Sequence, residues 1–171
     1  HPHKCPPFLA GSETIAREIV EDRPDTSRIY VPIGGGGLLS AICAAAESSS
    51  TEIEVLGVEA EQAPAFARSF QAGRPVAIAE MDTIADALTI NEPDGEVFDY
   101  VASRTSRIVT VSEEEIVNAM RSLFDEFRVI AEPGGAASLA AMVKSDDGKN
   151  AAAIISGGNV SLDEFLQITG S

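Results

Sequence analysis

The chain has 171 residues, enough for one domain with a sizeable core, and its 44% hydrophobic and 23% charged content is that of a globular rather than a disordered protein. Acidic residues outnumber basic ones 27 to 12, for a formal charge of −15, which argues against nucleic acid or an anionic membrane surface as partner because both would repel it. No apolar stretch reaches the length of a membrane span, and no secretory signal pattern opens the chain.

The chain begins at His1, so either a leader has been removed or a longer chain has been cut. Cys5 and Cys43 make no disulfide framework, and a reducing cytoplasm is the expected setting. His1, His3 and Cys5 alternate in HPHKC, but Pro2 and Pro6 stiffen that stretch and no second ligand cluster follows, so no metal site is expected there.

A first helix is expected near Ser12, capped by Ser12 or Gly11, with Ile15, Ala16, Ile19 and Val20 on one face and an end before Pro24. RIYVPI (28–33) is rich in β-branched residues and predicts a buried strand. Four glycines follow, then a helix through LLSAICAAAE that stops in the serine run at 48–50. IEVLGVE (53–59) predicts a second strand, and APAFARSFQAG (63–73) a helix closed by Gly73. Residues 74–95 read as irregular, with TIADAL at 83–88 and a turn, NEPDG, at 91–95.

RIVTV (107–111) predicts a third strand, and Ser112 with Glu115 a capping box for the helix behind it. VIAEP (129–133) ends an extended piece, with Pro133 opening the helix GGAASLAAMVK, which ends in the turn SDDGKN. AAAIIS (151–156) predicts the last strand, followed by GGN and a short helix that Ser161 caps. Strands thus alternate with helices, and several strands are apolar throughout, as strands buried on both faces are. The expected fold is one α/β unit in three layers, a mostly parallel sheet flanked by helices. In such sheets ligands sit beyond the strand C-termini, so the glycines at 34–37 and 157–158 should lie near each other.

A strand, a glycine turn and a helix N-terminus together form an anion site, because backbone N–H groups converge there and the helix dipole adds positive potential. A tight turn alone explains one or two glycines, not four. Leu38 and Leu39 stand where a nucleotide-binding loop would place its lysine and hydroxyl, and Leu39 fills the last glycine position of a dinucleotide fingerprint. A small phosphorylated cofactor suits the loop better than a nucleotide.

Seven blocks, GSETIAREI (11–19), VPIGGGGLLSAI (31–42), GVEAEQAP (57–64), TIADAL (83–88), VTVSEEEI (109–116), AEPGGAASLAA (131–141) and ISGGNVSL (155–162), carry a family resemblance. In this order they resemble the pyridoxal-phosphate enzymes of the tryptophan-synthase β-subunit fold type, in particular threonine and serine dehydratases. The resemblance implies that Gly34, Gly35, Gly36 and Gly37, with the N–H of Leu38, cradle the phosphate of pyridoxal 5′-phosphate. It implies that Ser156 hydrogen-bonds the pyridine nitrogen and that Glu132 lies at the active-site margin. Each has a plainer reading beside it: a turn or cap hydroxyl for Ser156, a first-turn helix carboxylate for Glu132. Glu59 resembles the carboxylate that holds a structural cation in many relatives, with the carbonyl of Ala63 as a second ligand. Ala65 stands where relatives often supply another acid, and a hard cation needs several oxygens. Ala87 departs from the common TIADG, placing a methyl group where it crowds the cofactor or alters substrate fit.

The family holds its cofactor as a Schiff base on a lysine. Neither Lys4, Lys144 nor Lys149 lies in the family's S-x-K-x-R-G setting, and the asparagine loop that supports the ring is also missing. The resemblance therefore implies the carboxyl-terminal portion of a dehydratase, holding most of its large domain, with no catalytic lysine of its own and no regulatory domain after ISGGN. The implied reaction turns a 3-hydroxy amino acid into a 2-keto acid and ammonia, with a small amino acid as substrate. A homo-oligomer, or assembly with the amino-terminal half, is expected because half a sheet exposes apolar edges. The alternatives are a phosphate- or cofactor-binding module without chemistry, and a serine racemase, threonine synthase or β-replacement enzyme.

Overall fold

The computed structural model describes residues 6–49, 51–105, 107–145 and 150–170. The β-branched run RIYVP forms β1 (Arg28–Pro32), buried at every residue. β1 pairs in parallel with β2 (Glu54–Ala60) on one side and with β4 (Ala151–Ala153) on the other, and β2 pairs with β3 (Ile108–Val111). The sheet is parallel throughout, in the order β3-β2-β1-β4.

Pro32 survives in a central strand for a geometric reason. The carbonyl of Tyr30 accepts from Ile154 N–H on the β4 side, and Ile33 N–H donates to Val58 on the β2 side. Pro32 therefore faces the β4 side, beyond the last pair, Tyr30 with Ala153, where no ladder bond needs its missing N–H.

Alternation along β1 divides the core. Ile29 and Val31 face a cluster with Ala16, Leu39, Ile42, Phe66 and Val97, supplied by α1 (Pro6–Asp22), α2 (Gly37–Glu47), α3 (Ala65–Ala72) and α4 (Gly95–Ala102). Tyr30, Leu56 and Val58 face the opposite cluster, with Met120, Ala136, Ala137 and Phe165 from α5 (Glu113–Phe127), α6 (Pro133–Ser145) and α7 (Leu162–Thr169). The three-layer α/β expectation is met. None of the described helices is long and apolar enough to cross a membrane.

Several boundaries move. α1 starts at Pro6 rather than near Ser12, since prolines are tolerated in a first helical turn. Ser12 lies inside the helix, its hydroxyl bonded back to the carbonyl of Phe8 at 3.1 Å, so it is not the cap. α4 is an addition to the expected elements, with Asp94 capping it by accepting from Glu96 N–H at 3.1 Å and Val97 N–H at 3.4 Å. β4 pairs over three residues, not six, and residues 128–132 form no strand. The capping box of Ser112 and Glu115 is present as expected, and Ser161 accepts from Glu164 N–H at the start of α7. The turn expected at 145–150 lies mostly outside the described residues, as do His1, His3 and Cys5.

Candidate functional site

β1 ends at the glycine run, and two of the four glycines have a steric reason to be there. Gly36 adopts φ +85, the left-handed region that glycine enters without strain. A Cβ on Gly36 would also lie 2.6 Å from Val97 Cγ1 and 3.0 Å from Phe66 Cζ, so both side chains pack directly beneath the loop. A Cβ on Gly34 would lie 2.9 Å from the carbonyl oxygen of Ala87. The loop is thus clamped on two sides.

α2 begins at Gly37, and Ser40 N–H is bonded to the Gly36 carbonyl at 2.9 Å. The N–H groups of the first turn before it, those of Gly37, Leu38 and Leu39, have no acceptor inside the helix. They stand at the positive end of the helix dipole, where an anion is favoured.

Those glycines line a cavity of about 730 Å³ that Ala87, Leu88, Glu132, Gly134 and Ser156 also line. Of the second glycine stretch, only the preceding Ser156 lines the cavity with Gly34–Gly37; Gly157 and Gly158 do not. Ser156 is exposed in the cavity wall, just past the sheet on the β4 side. Glu132 N–H donates to the Gly157 carbonyl at 3.2 Å, and its carboxylate covers Gly157, where a Cβ would collide with Oε1. Gly135 packs against the Gly157 backbone in the same way, which draws the α6 N-terminus onto the chain after β4. Among the described residues, three carboxylates, Glu92, Asp94 and Glu132, line the cavity, and no Lys or Arg does. An anion here relies on main-chain N–H groups and the dipole.

The remaining expectations fall elsewhere. Glu59 is fully buried, and its two oxygens accept from Phe66 N–H at 2.8 Å and Ala67 N–H at 2.9 Å. It serves as the N-cap of α3, because Pro64 at the cap position offers no side-chain acceptor. Burial pushes its carboxyl up to about 7, against the opposing pull of the two N–H donors. The Ala63 carbonyl accepts from Ala65 N–H at 3.1 Å. Among the described residues, no three acids, histidines or cysteines cluster as metal ligands. The set expected for a cation at Glu59 and Ala63 thus does not fit one: its carboxylate oxygens bind α3, and Ala65 adds no side-chain oxygen, its carbonyl accepting from the Ser69 hydroxyl at 2.7 Å.

Lys144 sits at the end of α6, away from the cavity lining, bonded to Glu115 at 3.0 Å and to the Thr110 carbonyl at 3.2 Å. The hydrogen bond to Glu115 holds its ammonium above the ordinary lysine range, so it is no free amine. Lys4 and Lys149 lie outside the described residues.

Sequence reasoning misses Leu88 and Asp94 as parts of this wall. NEPDG reads only as a turn, yet its aspartate caps α4 and sets Val97 beneath Gly36. An N-cap aspartate followed by Val97, Phe98 and Val101 at helical spacing is the available signal.

Residues 1–157 match the family described as pyridoxal-phosphate-dependent enzyme. An L-threonine ammonia-lyase from Thermotoga maritima is 38% identical over 170 residues, 98% of this chain but 42% of that protein. Among solved structures, a processed threonine deaminase from Solanum lycopersicum aligns with a TM-score of 0.88 at 26% identity, covering 97% of this chain and 50% of that one. Maize serine racemase aligns with a TM-score of 0.84 at 31% identity, covering 94% and 52%. The chain therefore spans about half the length of these relatives. With the glycine loop, the α2 N-terminus and Ser156 on one cavity and the match running through nearly every element, the chain belongs to the pyridoxal-phosphate-dependent enzyme family.

Proposed function

We propose that this chain forms the phosphate and ring-nitrogen side of the active site of an ammonia-lyase acting on a 3-hydroxy amino acid such as threonine or serine. The carrying observation is that Gly34–Gly37 and Ser156, at the ends of neighbouring strands, line one cavity with the α2 N-terminus. The cradle fits a phosphate: it is closed by Ala87, Phe66 and Val97 to any side chain but open to backbone N–H donors. Gly34–Gly37 and the N–H of Leu38 would hold that phosphate, and the Ser156 hydroxyl would meet the pyridine nitrogen. Bound, pyridoxal phosphate supplies an electron sink for loss of the α-proton and the β-hydroxyl.

The chain's own residues tune that sink. A serine hydroxyl offers the ring nitrogen one hydrogen bond and cannot keep it protonated as a carboxylate would, which favours elimination of water over transamination. Glu132, over Gly157 at the cavity margin, would face the amino-acid part of the substrate. The catalytic lysine would come from the half of the relatives' length that this chain does not span, since Lys144 is committed to Glu115. Assembly with that half, or with further copies, would cover the edge strands β3 and β4.

The test is intact mass after incubation with pyridoxal phosphate and borohydride, with peptide mapping, beside an assay for keto acid from threonine. Sparse labelling and no keto acid are expected. A stoichiometric adduct on one lysine, or turnover by the pure chain, would overturn the reading that the lysine is supplied from elsewhere. A second reading, a binding module without chemistry, is favoured by the engaged state of Lys144. It stands if complementation with the amino-terminal half of a relative restores no activity while phosphate still binds.

A further inference from the structure

Gly36, the left-handed residue of the glycine run, rests on the ring of Phe66: a Cβ there would lie 3.0 Å from Phe66 Cζ. Phe66 is fully buried in the first turn of α3, and its N–H is held by Glu59 Oε1 at 2.8 Å. Glu59 Oε2 takes the next N–H, that of Ala67, at 2.9 Å. A short chain of contacts therefore runs from a buried carboxylate at the end of β2, through α3, to the loop at the end of β1. The other support of Gly36, Val97, is set in the same manner, its N–H bonded to Asp94 at the start of α4.

We propose that Glu59 is a positioning residue for the phosphate loop, fixing Phe66 under Gly36 by capping α3, and that it does so without a cation. This rests on the reading of Gly34–Leu38 as the phosphate cradle. In the resemblance, the same carboxylate serves a cation together with a further acid. Here Ala65 is fully buried, has no side-chain oxygen, gives its carbonyl to the Ser69 hydroxyl at 2.7 Å, and lies in the turn that Glu59 caps. The Ala63 carbonyl is bonded to Ala65 N–H at 3.1 Å. The positive end of α3 thus stands where a metal ion would otherwise neutralise the buried acid.

The experiment is titration of the 171-residue chain with inorganic phosphate at pH 8 by calorimetry, well below the melting temperature, with EDTA or with magnesium or calcium chloride. E59Q keeps the shape but presents only one acceptor to two N–H groups. F66L leaves the cap and removes the ring under Gly36. E54Q, which disturbs the opposite end of the sheet, controls for general loss of stability. E59Q and F66L should each weaken phosphate binding about tenfold, the scale of one lost charge-assisted hydrogen bond, while E54Q lowers the melting temperature without changing phosphate affinity. Neither magnesium nor calcium should shift the wild-type melting temperature or affinity.

Wild-type affinity in both E59Q and F66L would overturn the positioning role and leave the phosphate reading intact. A cation-induced rise in melting temperature or affinity would overturn the cation-free part. If E59Q does not fold, F66L decides the positioning role alone. No phosphate binding by the wild type would overturn the cradle reading itself, and this proposal with it.

Discussion

The carbonyl oxygen of Ala87 lies 2.9 Å from the place a Cβ on Gly34 would take, so the backbone of the 3-10 turn Asp86–Leu88 is laid against the bare backbone of the glycine loop. A side chain at position 34 has only main chain to displace. G34A should therefore lower stability by about 1–3 kcal/mol, the usual cost of overpacking, and should weaken phosphate binding as well. Urea unfolding and phosphate titration of the same variant check both effects.

Gly157 meets a different neighbour. A Cβ there collides with the carboxylate of Glu132, the far end of a flexible and partly exposed side chain that can swing aside. G157A should cost less than about 1 kcal/mol while displacing Glu132 from the cavity margin. Its unfolding midpoint should stay near the wild-type value, and a crystal structure should show Glu132 in another rotamer.

Glu59 couples the fold to pH. Unfolded, it ionises near its ordinary value of 4.5; folded, burial raises it to about 7. The folded chain binds the extra proton across that window, so the associated stability is complete below about pH 4.5 and is lost as pH rises through about 7. The loss amounts to roughly 3 kcal/mol. E59Q, which cannot ionise, should show a pH profile of unfolding flatter than the wild type by this amount. Identical slopes in the two proteins would mean that the two N–H donors outweigh burial and keep Glu59 ionised throughout.

At the other end of the sheet, Arg28 and Glu54 stand in register on β1 and β2. The guanidinium side chain is 5% exposed and bonds Glu54 Oε2 from Nε at 2.8 Å and from Nη2 at 2.5 Å. Removing the carboxylate takes two hydrogen bonds from a buried guanidinium that also donates to the Tyr30 hydroxyl at 3.2 Å, although Glu54 itself is partly solvated. E54A should destabilise the chain by about 2–3 kcal/mol, below the range for a wholly buried pair. Thermal and urea unfolding measure that loss. Phosphate affinity should not change, since the pair lies at the strand starts and the cavity at their ends.

What can be read in advance is local. Ser112 and Glu115 announce their capping box at fixed spacing, and the run RIYVPIGGGG announces a strand and the turn that ends it within one window. The meeting of Ser156 with that loop follows from parallel topology alone. What stays hidden depends on contacts across the fold. Glu59 caps a helix whose own cap position is Pro64, so nothing within the helix's sequence points to the carboxylate. Phe66 and Val97 look like ordinary core residues until the fold brings both beneath Gly36. α4 escapes notice for a different reason: its cap, Asp94, lies in a Pro-Asp-Gly stretch whose turn signal outweighs the helical spacing behind it.

Ser156 offers the sharpest separation of cofactor from phosphate. The glycine loop follows β1 and Ser156 follows β4, its neighbour in the sheet, and both line the cavity. On the proposed reading inorganic phosphate would use the loop alone, whereas a phosphorylated pyridine would use both. S156A should bind inorganic phosphate as the wild type does, yet bind pyridoxal phosphate about tenfold more weakly, the scale of one hydrogen bond to a ring nitrogen. Paired calorimetric titrations decide it. Equal losses for both ligands would make Ser156 part of the loop's support, and no loss for either would leave the ring nitrogen to some other donor.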